Sequence, residues 1–582
     1  VYEEDLQNKF FYKIREKLNV NLKDFVNVHS LSPDQLSLDM FSAKELADLN
    51  IVDYRGYDYL GNKTTGNISF EDFFSEKDAD GRRTFPVSPF SPIYAAGYIQ
   101  DKFTYKDIIF RLGLRADYYD ANTKVFKDPY ALYEIEDAGS YFGRNQDKTQ
   151  PVSVEDDYKV YVAGAESDEI IGYRKGDQWY QPNGTAVSGG NVIFNGGVVY
   201  PRYVDRENRV LDIQDVNYKP EYSFDDYKPQ LNLMPRMAFS FPISDGANFF
   251  AHYDVLYQRP PSNSVLTALD YYYFNNAGSS GVQNNPNLRP VRTVSYEAGF
   301  QQKVSQFAAI KMSAYYKENK DLIQRRVYTN VPAPITTYET YGNLDFGTTK
   351  GFSFQFDKRR TNNLEFSATY TLQFAEGSGS DANSSGGINT RGILRNLNPL
   401  SFDERHRITA NFDYRYESGK AYDGPKIAGL DILANTGINL NVIAVSGQPF
   451  TRNSNPAPLG GNGFLGSING SRQPWTFSMD MRIDKSFTIN TSKTSNKGVE
   501  GNIYLRVQNV LDARNVRGVF GYTGDPENDG YLLSEFGQDR ISDIQASGKD
   551  VDAFLDAYSW RLVSPGNYFF PRRIYLGVIF NY

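Results

Sequence analysis

The fold is decided by the stretch Arg573-Ile574-Tyr575-Leu576-Gly577-Val578-Ile579-Phe580-Asn581-Tyr582. Its alternate positions place one set of large apolar side chains on one face: Ile574, Leu576, Val578, Phe580 and Tyr582. A period of two is the side-chain period of a β-strand. The stretch therefore predicts a strand that continues to the last printed residue. A strand at the end of a soluble sheet is the alternative interpretation.

The same alternation recurs along the chain, with one apolar face and one heavily charged face. The segment 364–374 alternates Leu, Phe, Ala and Tyr with Glu, Ser, Thr and Gln, and the segment 407–416 alternates Ile, Ala, Phe and Tyr with Arg, Thr, Asn and Asp. Runs of about ten residues cross a bilayer when they are tilted. We therefore predict an all-β fold, a transmembrane antiparallel β-barrel with its apolar face toward lipid. Phe580 and Tyr582 then resemble the C-terminal assembly signal of outer-membrane barrels.

Thirteen strands are predicted, and short connections alternate with long ones. Outer-membrane barrels have short periplasmic turns and longer extracellular loops, so the long connections are expected outside. The predicted strands span 93–103, 108–119, 233–243, 248–258, 293–303, 307–317, 345–358, 364–375, 405–416, 434–445, 475–487, 500–510 and 572–582.

The domain organisation follows from this strand pattern. Residues 1–92 are expected to form an extracellular segment before a descending strand, and 93–582 to form the barrel strands. The connection 120–232 is expected to be a large extracellular insertion, because a loop this long is usually functional. An odd number of strands does not return both chain ends to the periplasm. We therefore expect the sequence to begin inside an extracellular loop of a longer protein.

Composition excludes several classes of function. Lys plus Arg is 62 and Asp plus Glu is 70, which gives a net charge of −8 and argues against nucleic-acid binding. Cysteine is absent and only three histidines occur, so disulfides, thiolate metal sites and a Ser/His/Asp catalytic set are not predicted. No enzyme activity and no cofactor are expected. Aromatic residues make up 15% of the chain.

Twelve charged residues are predicted to face the lumen of the barrel. Contact with a plug or a substrate is one interpretation, and an ordinary ion-paired polar lumen is the preferred alternative. Three of them, at 480, 482 and 484, are expected beside Arg506 in a structural ladder. The twelve are Arg111, Arg115, Asp117, Glu297, Lys311, Arg407, Asp413, Arg415, Asp480, Arg482, Asp484 and Arg506.

Two further features of the long connections have open interpretations. Tyr271, Tyr272, Tyr273 and Phe274 either stack on a substrate or partner, or form the core of the loop. The acidic turns at 525–530 and 78–81 offer oxygen ligands for extracellular Ca²⁺, but neither has the EF-hand spacing. Plain acidic turns are the preferred interpretation.

Several motifs on these strands resemble those of TonB-dependent outer-membrane receptors. Asn285-Pro286-Asn287-Leu288-Arg289-Pro290 with Ser295-Tyr296-Glu297-Ala298-Gly299 resembles the family's "N-P-x-L-K-P-E … Y-E-x-G" stretch. Asp403-Glu404-Arg405-His406-Arg407 and Val507-Gln508-Asn509-Val510-Leu511-Asp512 follow in the family's order. The resemblance covers roughly 90–582. Two further stretches, 92–103 and 127–130, are similar to the Oar-like receptors of Bacteroidota.

The resemblance implies a 22-stranded barrel with an N-terminal plug, of which this chain is the C-terminal part. It implies a Gram-negative outer-membrane protein that takes up a large or scarce substrate, such as a peptide, protein or glycan fragment. Implied partners are outer-membrane lipid, the barrel assembly machinery, outer-membrane or surface lipoproteins, and a TonB complex if a plug and TonB box lie upstream. Neither is recognisable in this sequence, so a barrel scaffold without active transport is the alternative.

Overall fold

In the computed structural model, the described residues are 9–48, 55–64, 66–77, 79, 81, 83–204, 212–260, 265–279, 281–384, 396–490 and 498–581. Thirteen strands pair in chain order into one antiparallel sheet, each at a position predicted above. They are β1 (Ile93–Tyr105), β2 (Ile108–Asp120), β3 (Gln230–Ser244), β4 (Ala247–Gln258), β5 (Val291–Lys303), β6 (Ala308–Thr329), β7 (Thr337–Thr361), β8 (Leu364–Gly377), β9 (His406–Arg415), β10 (Thr436–Val445), β11 (Thr476–Asn490), β12 (Gly498–Gln508) and β13 (Arg573–Asn581).

A tight turn and a register shift beside it together set the pairing of β7 with β8. Their connection is the pair Asn362-Asn363, with φ of 49° and 66°. A two-residue hairpin turn of this kind needs positive φ at both positions, and asparagine tolerates it. The register then shifts by one residue between Thr361 and Lys358, and beyond this irregularity Phe354 lies opposite Tyr370 and Ser353 opposite Thr371. Apolar residues thus share one face and polar residues the other.

The apolar face of the sheet is exposed. Leu112, Leu233 and Leu576 are 43%, 53% and 76% exposed, and similar side chains occupy the same face of the other strands. A surface of this extent on a folded protein marks contact with lipid or another apolar partner. No helix among the described residues has the length and apolar character needed to cross a membrane.

Strands β6 and β7 continue much further than predicted. The connection predicted at 318–344 is mostly a paired hairpin, whose loop is only 330–336. The register shifts at Asn319–Ile323, where Asp321 has φ of 60°. The shift separates the predicted alternating part of the hairpin from a second part whose side chains pack against other loops. This second part has no lipid-facing alternation, so the sequence pattern did not predict it as strand.

The long connections pack together around the far end of this hairpin. Residues 124–204, 212–227 and 265–277 share one hydrophobic core with Tyr328, Val331, Ile335 and Tyr338 of the hairpin. We call this assembly the aromatic lobe. The Tyr328 and Tyr338 rings stack at 5.2 Å. The lobe has a four-stranded sheet formed by Lys159–Val162, Ile170–Lys175, Gln178–Tyr180 and Ala186–Val187, and a pair formed by Lys124–Phe126 and Phe224–Asp226.

Among the described residues, helices occur only outside the thirteen strands. Three lie in the segment before β1, and the two longest lie in the connection before β13. The helices are α1 (Phe10–Lys17), α2 (Ala43–Asp48), α3 (Asp72–Ser75), α4 (Ala138–Arg144), α5 (Asn191–Phe194), α6 (Ala268–Tyr272), α7 (Glu535–Ala546) and α8 (Val551–Leu562). Other short strands are Val282–Gln283, Asn398–Pro399, Pro449–Phe450 and Ser471–Arg472.

The first and last strands are edges of the sheet. Among the described residues, β1 pairs only with β2 and β13 only with β12. All thirteen residues of β1 are exposed. Each edge presents unpaired backbone N–H and C=O groups, which an environment of lipid cannot satisfy.

Candidate functional site

The polar face of the sheet carries all twelve residues predicted to face the lumen. Residues directly opposite each other on paired strands share a face, so the register places them in rows. One row crosses seven strands: Arg111, Ala238, His252, Glu297, Tyr315, Gly351 and Gln373. A second row crosses six strands: Glu365, Asp413, Asn439, Arg482, Arg506 and Tyr575. The remaining candidates lie an even number of residues from members of these rows.

Several of the twelve form ion pairs with one another. Arg115 Nε donates to Asp117 Oδ1 at 2.6 Å, and the Tyr94 hydroxyl donates to the other oxygen of that carboxylate at 2.7 Å. Arg415 makes two bonds to Asp484, at 2.8 and 3.0 Å. These pairs are ordinary for a wet polar face and agree with the ion-paired interpretation.

Other candidates find partners outside the predicted set. Arg407 Nη1 donates to Glu404 at 2.8 Å. Asp413 accepts from Arg360, a residue of the β7–β8 turn region. Asp480 Oδ1 accepts the backbone N–H of Asn509 at 2.9 Å. Glu297 lies 3.4 Å from His252 Nε2, on the neighbouring strand β4.

Three of the candidate cations have no carboxylate partner among the described residues: Arg111, Lys311 and Arg506. Arg506 lies directly opposite Arg482, so the predicted ladder contains a pair of like charges. Arg482 itself stacks over the Tyr504 ring at 4.3 Å and lies 4.0 Å from Asp484. Like charges placed opposite each other are destabilising. Arg111, Lys311 and Arg506 are therefore held on the polar face without a direct carboxylate contact among the described residues.

A polar concavity of about 290 Å³ lies on this face where β5, β6, β7 and β8 meet. We call it the lumenal groove. Tyr315 lies across Gly351 on β7, where a β-carbon would come 2.5 Å from its ring, and its hydroxyl donates to Gln373 at 2.8 Å. Phe250 lies across Gly299 in the same way, 2.7 Å from a β-carbon there. The lining is Glu297, Lys311, Ser313, Tyr315, Lys317, Thr349, Ser353, Gln355 and Gln373.

Sequence reasoning missed this groove because it depends on glycines. Gly299 was recognised only as a motif letter, and the rings that cover Gly299 and Gly351 each belong to the neighbouring strand. Aromatic side chains that cover strand glycines are a known device of β-sheets. The available signal was a glycine in the middle of an alternating strand, which marks a close approach of another group.

The aromatic residues at 271–274 lie inside the aromatic lobe. Tyr271, Tyr272 and Phe274 are 0%, 2% and 5% exposed, and Tyr273 is half-buried against the same core. The Tyr271 ring packs on Phe126 at 4.8 Å. Buried rings have no face free for a ligand, so this placement favours the loop-core interpretation over substrate stacking.

The acidic turn at 525–530 uses its oxygens within the chain. Asp525 Oδ1 accepts the Glu527 N–H at 2.7 Å, and Glu527 pairs with Arg514 at 2.7 Å. Asp529 accepts the Tyr558 hydroxyl of α8 at 2.6 Å. Within the described ranges, no three or more His, Cys, Asp or Glu side chains are grouped to hold a metal ion. The second acidic turn, at 78–81, lies largely outside the described residues.

The C-terminal aromatic pattern is described in part. Phe580 is on the apolar face, 55% exposed, with its ring 6.4 Å from that of Phe487 on β11. Tyr582 lies outside the described residues. The exposed Phe580 side chain lies where an outer-membrane strand contacts lipid.

Comparison with protein families matches the middle part of the chain. Residues 212–430 match the outer membrane protein beta-barrel family. This part of the chain runs from the end of the aromatic-lobe insertion through β3 to β9 and includes the lumenal groove. No curated protein matches the chain.

Solved structures similar to the chain are outer-membrane proteins. The ferric-catecholate import receptor Fiu from E. coli K12 is 12% identical, with 73% of this chain and 41% of that chain covered and a TM-score of 0.36. The FrpB iron transporter from Neisseria meningitidis is 12% identical, with 76% and 45% covered and a TM-score of 0.38. The outer membrane transporter YddB from Escherichia coli is 14% identical, with 73% and 51% covered and a TM-score of 0.36.

The chain spans about half or less of the length of these structures. Identities and TM-scores this low do not carry the activity of those proteins to this chain. The family match and the two-faced sheet of long antiparallel strands identify the fold class predicted above. The protein is an integral outer-membrane protein of the β-barrel class.

Proposed function

We propose that this chain forms the substrate-binding wall of a TonB-dependent outer-membrane transporter. The observation that carries the proposal is the polar face, where Arg111, Lys311 and Arg506 have no carboxylate partner among the described residues. Uncompensated charge beside a groove is typical of a surface that meets a second molecule.

The resemblance of the strand motifs supports transport over catalysis. The motif around Glu297 lies on β5 and lines the lumenal groove, and the motif around Arg407 begins β9. The cargo would be a large or scarce substrate, such as a peptide, protein or glycan fragment, taken up by a receptor of the Oar-like branch. The partners would be lipid, the barrel assembly machinery, a TonB complex and surface lipoproteins.

Pairing of the sheet edges is part of the proposal. Strands β1 and β13 would each pair with further strands, to a total of about 22 as the resemblance implies. Closure would satisfy the edge backbone groups, since unsatisfied groups in hydrocarbon cost several kcal/mol each. The aromatic lobe, residues 9–92 and the other long connections would then face the outside.

The test is uptake in the native host with the full-length gene. Fluorescently labelled peptides from a protein digest would be followed into cells of the parent strain, a strain without this gene, and a strain without TonB. We expect uptake to need both genes and to stop when a protonophore removes the membrane potential. Uptake that is unchanged without either gene would contradict the proposal.

A scaffold role without active transport is the second candidate, and one observation favours it. Helices α7 and α8 carry large apolar side chains that are strongly exposed, with Phe536 63% and Trp560 78% exposed, as is Leu533 just before α7 at 79%. A surface of this kind fits a partner protein. Purification of the tagged native complex, together with the uptake assay, distinguishes the two candidates. A scaffold would copurify with its partner even from cells that lack TonB, and deletion of its gene would leave peptide uptake unchanged.

A further inference from the structure

The lumenal groove has an unusual combination of charge and lining. Its lysines, Lys311 and Lys317, approach only aromatic rings: the Lys311 ammonium lies 5.1 Å from the Phe250 centroid and the Lys317 ammonium 5.8 Å from that of Tyr315. Within the described part of the chain neither has a carboxylate in ion-pair range. The one acidic group of the lining, Glu297, faces His252 instead.

The floor between the two lysines is polar and uncharged. Ser313, Thr349 and Ser353 supply hydroxyl groups, and Gln355 and Gln373 supply side-chain amides. The Gln373 side-chain oxygen accepts the Tyr315 hydroxyl and the Gln355 side-chain nitrogen donates to Asp357, so the Gln373 amide offers its N–H groups to a ligand and the Gln355 amide its oxygen. Such a floor can pair with the alternating N–H and C=O groups of an extended polypeptide.

The spacing of the lysines sets the length of the ligand. Lys311 and Lys317 lie on the same face of β6 six residues apart, which corresponds to about 20 Å along a strand. An extended peptide of about six residues has the same length. Acidic side chains near its two ends would reach both ammonium groups.

We propose that the lumenal groove binds an extended acidic peptide. Its carboxylates pair with Lys311 and Lys317, and its backbone lies over the hydroxyl and amide floor. This inference rests on the proposed function and names the class of its cargo. An acidic glycan fits less well, because sugars stack on open aromatic faces. Phe250 and Tyr315 have one face over glycine backbone and a lysine ammonium near the ring.

The experiment measures binding to the purified full-length protein in detergent. Fluorescently labelled hexaglutamate is the probe, and labelled hexaglutamine and an oligogalacturonate are the comparison ligands. Two double variants are compared with the wild type. The double glutamine variant carries Lys311→Gln and Lys317→Gln, and the double arginine variant, which conserves the charge, carries Lys311→Arg and Lys317→Arg. The matched control is Lys219→Gln with Lys228→Gln, which removes the same charge from two exposed lysines outside the groove.

We expect hexaglutamate to bind saturably, less tightly at high salt, and to lose about tenfold or more in affinity in the double glutamine variant. The double arginine variant and the matched control should stay near wild type. Heat-modifiable migration on a gel checks that each variant is folded. If the double glutamine variant does not fold, three other measurements test the inference: the affinity of the double arginine variant, the dependence of hexaglutamate binding on salt, and the binding of hexaglutamine.

Three results would overturn the inference. They are the absence of saturable hexaglutamate binding, equal binding of hexaglutamine, and wild-type affinity in the folded glutamine variant. Tighter binding of the oligogalacturonate would assign the groove to acidic glycans and overturn it as well. The uptake assay separates a failure of this inference from a failure of the proposed function. If hexaglutamate does not bind but uptake still depends on TonB, only the inference fails. If hexaglutamate binds but uptake does not depend on TonB, only the proposed function fails.

Discussion

Arg415 on β9 and Asp484 on β11 form a bidentate ion pair across the strand that separates them. The strand between them is β10, and its residue in the same row is Gly437. The two bonds measure 2.8 and 3.0 Å, and the Asp484 side chain is 8% exposed. The guanidinium passes directly over the glycine, so that the glycine allows an ion pair between strands that are not hydrogen-bonded to each other.

This arrangement predicts the effect of Gly437→Ala. A β-carbon at this position would lie 2.4 Å from Arg415 Cζ, so the guanidinium must move away and leave Asp484 with fewer bonds. We expect a loss of about 1–3 kcal/mol in the free energy of unfolding, measured by urea titration of the protein in lipid vesicles. In an Arg415→Met background the same substitution should cost little. Equal losses in both backgrounds would show that the ion pair does not depend on the glycine.

Adjacent residues on β8 predict a contrast between the two faces of the sheet. Ala368 pairs with Phe356 and Ala410 on the apolar face, whereas Thr369 pairs with Gln355 and Thr409 on the polar face. Arginine near the middle of the lipid face costs about 2–4 kcal/mol. Ala368→Arg should therefore reduce folding yield in vesicles strongly, and Thr369→Arg should have a small effect. Equal yields would contradict the assignment of faces.

The sidedness of the connections is a second prediction that the absence of cysteine makes easy to test. Gln306 is exposed in the short connection between β5 and β6, and Val152 is exposed in the long connection between β2 and β3. We expect Val152→Cys to react with a membrane-impermeant maleimide on intact cells, and Gln306→Cys to react only after the outer membrane is permeabilised. The reverse pattern would invert the proposed topology.

The aromatic lobe should lose stability at alkaline pH. Burial raises the pKa of the Tyr130 and Tyr173 hydroxyls to about 12, above the value of about 10 in an unfolded chain. The neutral hydroxyl is favoured in the fold, so the stabilisation is complete below pH 10 and is lost as pH rises toward 12.

Two measurements follow this loss: tyrosinate absorbance and the fluorescence of Trp179, which is buried in the same cluster as Tyr130, whereas Tyr173 belongs to a second buried cluster. We expect one group of tyrosines to ionise only above pH 10, in the same pH range in which the fluorescence of Trp179 changes. Tyr173→Phe should shift the transition to higher pH, and Tyr57→Phe, at an exposed position, should not. A transition that is complete before pH 10 would contradict the effect of burial.

Local periodicity was sufficient to locate the thirteen strands. One face of each strand meets lipid, so the environment requires the alternation from Leu364 to Phe374. This alternation can be recognised from the sequence without knowledge of the fold. The second half of the β6–β7 hairpin was missed for the opposite reason. Tyr328 and Tyr338 pack inside the aromatic lobe, and a core made by several loops imposes no simple period on the sequence.

The ion pairs of the polar face were predicted less well than its residues. The twelve candidates share one face of the sheet, but Asp484 was expected beside Arg506. In the structure Asp484 lies opposite Tyr504 and pairs with Arg415. Partners depend on the register between strands, which turns and register shifts set, and on glycines such as Gly437 that let a side chain cross a strand. Neither is visible in the alternation of a single strand.

The central claim is that the two faces of this sheet contact different solvents, lipid on one side and a wet lumen on the other. It is tested most directly by nitroxide labels at each position of β8 from 364 to 373, introduced as cysteines and measured in vesicles. We predict that oxygen collides most often with labels at even positions and that a water-soluble nickel complex collides most often with labels at odd positions. Accessibility without this period of two would contradict the account.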